Sequence, residues 1–217
     1  MKKILLSLLV VTSLFCSSFT TLDNTNWSLN KNSSGINIYT RAYPNSEYKE
    51  FKGVMTVQAS MSCLLAVMKD VDNYPNWFFQ CPEAHMIKTL SFKEGYNYMT
   101  YKLPWPLDSR DMVIHFWVSE DMSDKSVTIK TVGEPNYIAA KADWIRIQEL
   151  NGFWKFTPKG NGNIEVVYQL HLEPNGSIPA WLANSTVVDA PYNSMLKMKE
   201  VIKQTKYTSA KIAEIVE

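Results

Sequence analysis

The stretch LPWPLDSRDMVIHFWV, from Leu103 to Val118, leads from a proline-flanked tryptophan through an Arg-Asp pair into a nearly uncharged run. Prolines and aspartates commonly bound strands, and the run that starts at Met112 has the branched and aromatic composition of a buried strand. Asp108 and Asp111 lie too close together to hold a substrate across a cleft. We therefore interpret Arg110 and Asp111 as structural, forming an ion pair or cap where the chain enters the strand.

Segments on both sides of this stretch alternate apolar and polar residues or are largely apolar, and turn-forming residues bound them. Both patterns are typical of strands in a partly buried sheet. Helical spacing instead predicts a short helix over residues 60–71 and a long C-terminal helix over 178–204, kinked at Pro191. The predicted strands cover residues 35–43, 48–59, 84–90, 96–103, 112–120, 126–132, 144–150, 153–157 and 164–172.

These elements predict an α+β fold. A curved antiparallel sheet of about nine strands wraps around the long C-terminal helix, and short helices follow the first hairpin. One domain suits the length, because single cores usually extend to about 100–200 residues before a chain divides. We place the domain at residues 27–204 and treat residues 205–217 as a C-terminal tail.

Residues 1–18 have the layout of a secretory signal peptide, in which two lysines precede an apolar run over residues 4–11. The run is shorter than the roughly 20 apolar residues of a spanning helix. We therefore expect a periplasmic or secreted protein whose mature chain begins near Phe19. Cys63 and Cys81 would then be the only cysteines in an oxidising compartment, where a disulfide between them would contribute about 3 kcal/mol. The sequence leaves open whether they meet.

Composition and motifs argue against several function classes. Without Lys2 and Lys3 the chain has 20 basic residues against 21 acidic ones, so we expect no nucleic-acid partner. The sequence contains no H-E-x-x-H, C-x-x-C or G-x-S-x-G motif and no glycine-rich phosphate loop. We expect no catalytic residue, no metal and no cofactor. The many aromatic residues and methionines either fill a solid core or line a hollow that binds an apolar ligand.

Four sequence motifs together resemble the START (StAR-related lipid-transfer) domain, which has a helix-grip fold. They are NWSLNKNSSGINIYTRAY (26–43), DNYPNWF (72–78), LPWPLDSRDMV (103–113) and EPNGSIPAWLAN (173–184). The resemblance implies noncovalent binding, and often transfer, of a lipid or other apolar small molecule in a cavity. The cavity would open when the C-terminal helix and the loop over residues 134–143 move. It also implies a monomer that contacts membranes briefly and carries out no catalysis.

The resemblance also implies which residues bind the ligand. Some sterol-binding relatives have a buried basic residue at the position of Phe116, so this chain departs from them there. Arg146 interrupts the strand pattern WIRIQ, where a charge either faces solvent or hydrogen-bonds inside the cavity. The predicted ligand-binding residues are Met112, Ile114, Phe116, Val118, Arg146, Trp154, Phe156, Tyr168, Leu170, Val187, Pro191, Met195 and Met198.

Two other functions remain open from the sequence. The wider helix-grip superfamily includes cyclases and hydrolases that act on apolar substrates, and a fold by itself does not identify a function. Alternatively, the aromatic rings and methionines simply fill the core of an interaction module. An internal cavity volume near zero would favour the interaction module. A buried histidine or acid beside another polar group would favour the enzyme.

Overall fold

The computed structural model describes residues 26–103, 105 and 107–215, so the predicted signal peptide over residues 1–18 lies outside the described part. The strands are β1 (Ser28–Ser33), β2 (Ile36–Arg41), β3 (Glu50–Gln58), β4 (Ala84–Ser91), β5 (Glu94–Tyr101), β6 (Arg110–Asp121), β7 (Ser126–Gly133), β8 (Ile145–Arg146), β9 (Glu149–Gly160) and β10 (Asn163–Glu173). The helices are α1 (Met61–Lys69), a 3₁₀ helix (Val71–Asn76), α2 (Ala180–Thr186), α3 (Asp189–Val201) and α4 (Thr205–Thr208).

These strands form one ten-stranded sheet in the order β1-β2-β3-β10-β9-β7-β6-β5-β4, with β8 beside β6. Neighbouring strands are antiparallel except for β6 and β8, which run parallel. Residues of α1, the 3₁₀ helix and α3 share a hydrophobic core with residues of the sheet. The predicted α+β fold, an antiparallel sheet with a C-terminal helix, is confirmed.

Three strands, β1, β8 and β9, differ from the sequence prediction. The pattern does not predict β1, whose six residues are mostly polar and exposed. The pattern also predicts strands over 144–150 and 153–157, whereas the structure has a two-residue β8 and a β9 of 12 residues. Gly152 does not interrupt β9. It pairs with Leu170, and any side chain at Gly152 would collide with that leucine, so the glycine permits close packing.

The predicted C-terminal helix over 178–204 consists of two helices, α2 and α3, and the break at residues 187 and 188 precedes Pro191. Proline has no N–H to donate to the carbonyl four residues earlier, which belongs to Val187. Because α3 starts at Asp189, Pro191 lies in its first turn, where that donor is not needed. No helix in the described ranges is both long and apolar enough to cross a membrane.

The C-terminal region is anchored at two places. The helix α3 approaches β3 so closely at Gly53 that any Cβ there would overlap the sulfur of Met195. The tail is held through Asp70, whose carboxylate accepts hydrogen bonds from Lys206 (2.8 Å) and the hydroxyl of Tyr207 (2.7 Å). The first part of the predicted tail therefore folds back against the end of α1.

Candidate functional site

A pocket of about 230 Å³ lies between the sheet and the helices. Side chains of β3, β5, β6, β7, β9 and β10 form one wall, and α1, the 3₁₀ helix, α2 and the first turns of α3 form the other. None of the residues of α2 is buried, although four of them line the pocket. The helix α2 therefore covers the pocket with little packing of its own.

Strand β6 presents alternate residues to the pocket. Met112, Ile114, Phe116 and Val118 all line it, because successive side chains of a strand point to opposite faces. Arg110 belongs to the same set and lines the pocket at the start of the strand. One face of β6 thus supplies a basic group followed by four apolar side chains.

Aromatic rings pack together on the sheet wall. Trp154 on β9 stacks on Tyr168 of the neighbouring strand β10, with ring centroids 3.9 Å apart and planes 9° from parallel. Phe51 meets Tyr168 edge-on at 4.9 Å, and Phe78 meets Trp154 edge-on at 6.3 Å. Such arrangements are favoured beyond the area they bury. All four rings line the pocket and give it a fixed apolar surface.

Few polar groups face this apolar surface. Asn97 on β5 is 5% exposed, and its Oδ1 has no hydrogen-bond partner among the described residues. Burial raises the pKa of Tyr101 to about 12, and the charge of Asp189 adds to the rise. Burial also raises the pKa of Tyr168. Both phenols are therefore uncharged at neutral pH and can act only as hydrogen-bonding groups.

The charged side chains around the pocket are all basic. They are Lys49, Lys69 and Arg110, and none of the described lining residues is Asp, Glu, His or Cys. Lys49 is exposed, and Lys69 is half-buried with its Nζ donating to the carbonyl of Phe92 at 3.2 Å. Arg110 alone of the three is buried.

Arg110 joins β6 to the turn after β10. Its Nε donates to the carbonyl of Pro174 at 3.1 Å, and its Nη2 donates to that of Asn175 at 2.8 Å. Its Nη1 donates to the carbonyl of Asp108. Burial lowers the pKa of Arg110, and nearby Asp108 counteracts this effect.

Comparison with known proteins identifies the family. The START domain profile matches residues 18–205, most of the chain. The chain belongs to the START domain family. An uncharacterized protein of Pseudomonas aeruginosa is 39% identical over 172 residues, which are 78% of this chain and 83% of that protein. START domain-containing protein 10 of the mouse is 22% identical, and the matched part spans 79% of this chain and 60% of that relative's length.

Solved structures share this START domain fold. The STAR-related lipid transfer protein of Xanthomonas axonopodis is 31% identical with a TM-score of 0.77, and the match covers 82% of this chain and 99% of that one. Human STARD10 superposes with a TM-score of 0.71 at 19% identity, over 83% of this chain and 74% of that one. The second likeness shows the fold alone.

In this START domain the side chains of Arg110 and Asp111 lie on opposite faces of β6. Arg110 and Asp111 do not pair with each other, because neighbouring strand residues point in opposite directions. Asp111 instead pairs with Arg146 on β8 and accepts a hydrogen bond from the hydroxyl of Tyr98 at 3.1 Å. The expected ion pair between Arg110 and Asp111 is therefore replaced by two separate sets of contacts.

The START domain pocket includes most of the predicted lining residues. Those that line it are Met112, Ile114, Phe116, Val118, Trp154, Tyr168, Leu170, Val187 and Pro191. Arg146, Phe156, Met195 and Met198 do not line it. Arg146 lies on the far face of β6, while Phe156 and the two methionines are fully enclosed in the solid core. Ligand contact by any of the lining residues remains a prediction.

The loop over residues 134–143, which the resemblance identified as mobile, is tied to the outer side of the START domain sheet. Arg146 donates to the carbonyls of Pro135 (2.6 Å), Ile138 (3.1 Å) and Ala139 (3.3 Å). Tyr137 stacks on Tyr96 with centroids 3.9 Å apart. None of these loop residues lines the pocket. The covering segment is α2 instead.

The two cysteines are not joined in the START domain. Cys63 Sγ lies 3.4 Å from the carbonyl oxygen of Ile202, and Cys81 Sγ lies 3.4 Å from that of Glu83. Burial raises the pKa of both thiols, that of Cys81 to about 11. The disulfide considered from the sequence is thus not formed. No cluster of three or more metal-binding side chains occurs in the described ranges.

Sequence reasoning missed the polar part of the START domain pocket. Asn97 and Arg110 both line it, and both continue period-two patterns whose other members are apolar. Asn97 precedes Met99 and Tyr101 on one face of β5, so alternation indicated its direction. Lys49 and Lys69 also line the pocket, but nothing in their sequence context distinguishes them from surface lysines.

Proposed function

We propose that this START domain binds a lipid or other apolar small molecule noncovalently in the pocket beneath α2. The observation that carries the proposal is an apolar, aromatic lining between sheet and helices that contains few polar groups. Pockets of this kind bind by removing apolar surface from water, at about 25 cal/mol per Å². The similarity to a Xanthomonas protein described as a lipid transfer protein supports this reading.

The size of the pocket has a consequence for how the ligand enters. Its volume of about 230 Å³ lies just below the roughly 300–1,000 Å³ of common ligand pockets. A long-chain lipid would therefore need additional space. We propose that α2 moves outward to provide it, because α2 has no buried residue and the two hydrogen bonds of its Asn184, with Glu47 and Lys49, are exposed.

We further propose that the domain carries out no reaction on its ligand. General acid–base catalysis needs a group that exchanges protons near neutral pH, most often histidine or a carboxylate. The described lining contains neither, and burial raises the pKa values of Tyr101 and Tyr168 away from neutrality. A cyclase or hydrolase would have to act with hydroxyl groups, with amides such as Asn97 or with the basic side chains of Lys49, Lys69 and Arg110.

The setting of this activity also belongs to the proposal. The signal-like residues 1–18 favour export, so binding would take place in the periplasm or outside the cell. The protein would work as a monomer that contacts a membrane briefly when it collects or delivers its ligand. Detection of an intact Met1 terminus on soluble cytoplasmic protein would contradict the proposed export.

Native mass spectrometry of the protein purified from its own host tests the binding proposal. We expect a mass excess that disappears on extraction with organic solvent, and the extract identifies the ligand. A matched measurement adds delipidated protein to vesicles of the host's lipids and looks for the same excess. Protein that carries no small molecule and takes none from the vesicles would contradict the proposed function.

A further inference from the structure

The charged side chains around the pocket all carry positive charge. Lys49, Lys69 and Arg110 contribute three basic groups, and the described lining contributes no acidic one. A neutral hydrocarbon would gain nothing from such a distribution. An anionic ligand would be attracted by these basic groups.

Arg110 is the group of this set whose charge is least compensated. It is 2% exposed, and its three hydrogen-bond acceptors are neutral backbone carbonyls. A guanidinium has five N–H donors, so two of them remain. Among the described residues no carboxylate lies within 4 Å of Arg110, and the nearby Asp108 is exposed to solvent.

Arg146, the other buried arginine of the chain, has the acidic partner that Arg110 lacks. Arg146 is 6% exposed and has the carboxylate of Asp111 at two points, besides its backbone acceptors. Buried charges are normally paired in this way, because desolvation of an unpaired charge is costly. Arg110 lines the pocket without such a partner, so an anionic ligand there would supply the missing countercharge.

We propose that Arg110 receives the anionic head group, a carboxylate or a phosphate, of an amphiphilic ligand. The planar fork of arginine matches either group at two points. The apolar tail would follow Met112, Ile114, Phe116 and Val118 along β6, a span of about 20 Å at roughly 3.3 Å per residue. This inference rests on the proposed function and names the class of ligand.

The test compares ligands that differ only in the head group. N-phenyl-1-naphthylamine, a neutral fluorophore, is bound first, and its displacement by palmitate, methyl palmitate, hexadecanol and palmitoyl lysophosphatidate is then measured. We expect palmitate or lysophosphatidate to bind about ten- to a hundredfold more tightly than the ester and the alcohol, as charge-assisted hydrogen bonds would give. Whichever anion shows this preference identifies the head group.

Variants of single basic residues test whether Arg110 causes the preference for the anionic ligand. We expect Arg110→Gln, shown by circular dichroism to be folded, to lose the preference for the anion and keep its affinity for the ester. Lys159→Gln, which removes an exposed basic group outside the pocket, is the matched control and should keep the preference. If Arg110→Gln does not fold, Lys49→Gln and Lys69→Gln still test the position, because loss of the whole preference in either one assigns the head group elsewhere.

The outcomes separate this inference from the proposed function. Equal displacement by palmitate, lysophosphatidate and the ester would overturn the anionic head group and leave apolar binding intact. A preference that persists in folded Arg110→Gln would overturn the role of Arg110. Protein that binds neither the fluorophore nor any of the lipids would contradict the proposed function itself.

Discussion

Asp111 and Arg146, 35 residues apart, form a buried two-point ion pair in which Nε and Nη2 each donate to one carboxylate oxygen at 2.9 Å. The pair fastens β8 to β6 and, through the other donors of Arg146, fixes the loop over residues 134–143. Its hydrogen bond with Asp111 and the negative charge there raise the pKa of Arg146 despite burial. The ion pair is thus a buried polar link between β6, β8 and this loop.

Removing one partner of this pair should strongly destabilise the protein. We expect Arg146→Gln to lower the free energy of unfolding by about 3–5 kcal/mol, because Asp111 would remain buried without a countercharge. Urea denaturation measures the change. The control is Lys159→Gln, which breaks an exposed pair with Glu165 and should cost less than about 1 kcal/mol. Equal effects of the two substitutions would contradict the structural role of the pair.

A charge within the aromatic wall should abolish ligand uptake. In Trp154→Asp a carboxylate would replace the ring that stacks on Tyr168. Such a group costs several kcal/mol in apolar surroundings or takes up a proton, and either result spoils the surface for a hydrocarbon. Titration with a neutral fluorophore, after a check of folding, measures the loss. Lys159→Asp on the surface should bind as the parent does, and unchanged affinity in folded Trp154→Asp would place the ligand elsewhere.

Acid should release the C-terminal tail. Burial would raise the pKa of Asp70, but hydrogen bonds from Lys206 and Tyr207 outweigh it and hold the pKa below its ordinary value of 3.8. Because the pKa of the folded state is the lower one, this contribution to stability is present above pH 3.8 and is lost as the pH falls through the folded value. We expect Asp70→Asn to be less stable than the parent at pH 7, and we expect this difference to be smaller at pH 2. A stability difference that stays the same at both pH values would exclude this linkage.

The thiols should be slow to react. Burial raises the pKa of Cys81 to about 11, so little thiolate forms at neutral pH. Ellman's reagent should therefore modify Cys63 and Cys81 only after denaturation, when both react. Protein purified from an oxidising compartment should show the same two thiols. A mass lower by two protons, with no thiol detected in denaturant, would reveal a disulfide and require a different arrangement of α1.

Alternation along single strands could be predicted from the sequence. It identified most of the residues of β6, β9 and β10 that line the pocket. Trp154 and Tyr168 line it because their sequence neighbours, such as Lys155, must reach solvent. The same rule placed Phe156 in the pocket. Alternation shows to which face of the sheet a side chain points, but not whether a pocket or solid core lies there. Phe156 points to the same face as Trp154 and is fully buried in the core beyond the pocket.

Contacts between distant segments could not be predicted in this way. Arg146 looks like a misplaced surface charge until β8 lies beside β6 and brings it to Asp111. The break between α2 and α3 lies about one turn before Pro191, and a propensity argument cannot locate such a break to a single turn. For polar lining residues such as Asn97, alternation indicated the face of the strand but not that a hollow lies beside that face.

Strand β1 gives the sheet a border that resists self-association. Sheet edges present unpaired N–H and C=O groups, which can recruit a strand from another molecule. Behind β1 lies β2, whose Ile36 and Ile38 alternate as in a segment prone to stack into fibrils. The polar β1, with Lys31 next to its bulge at Asn30, covers that edge with side chains and a twist that a second molecule cannot easily extend. We therefore expect this polar strand to help keep the protein dispersed at high concentration.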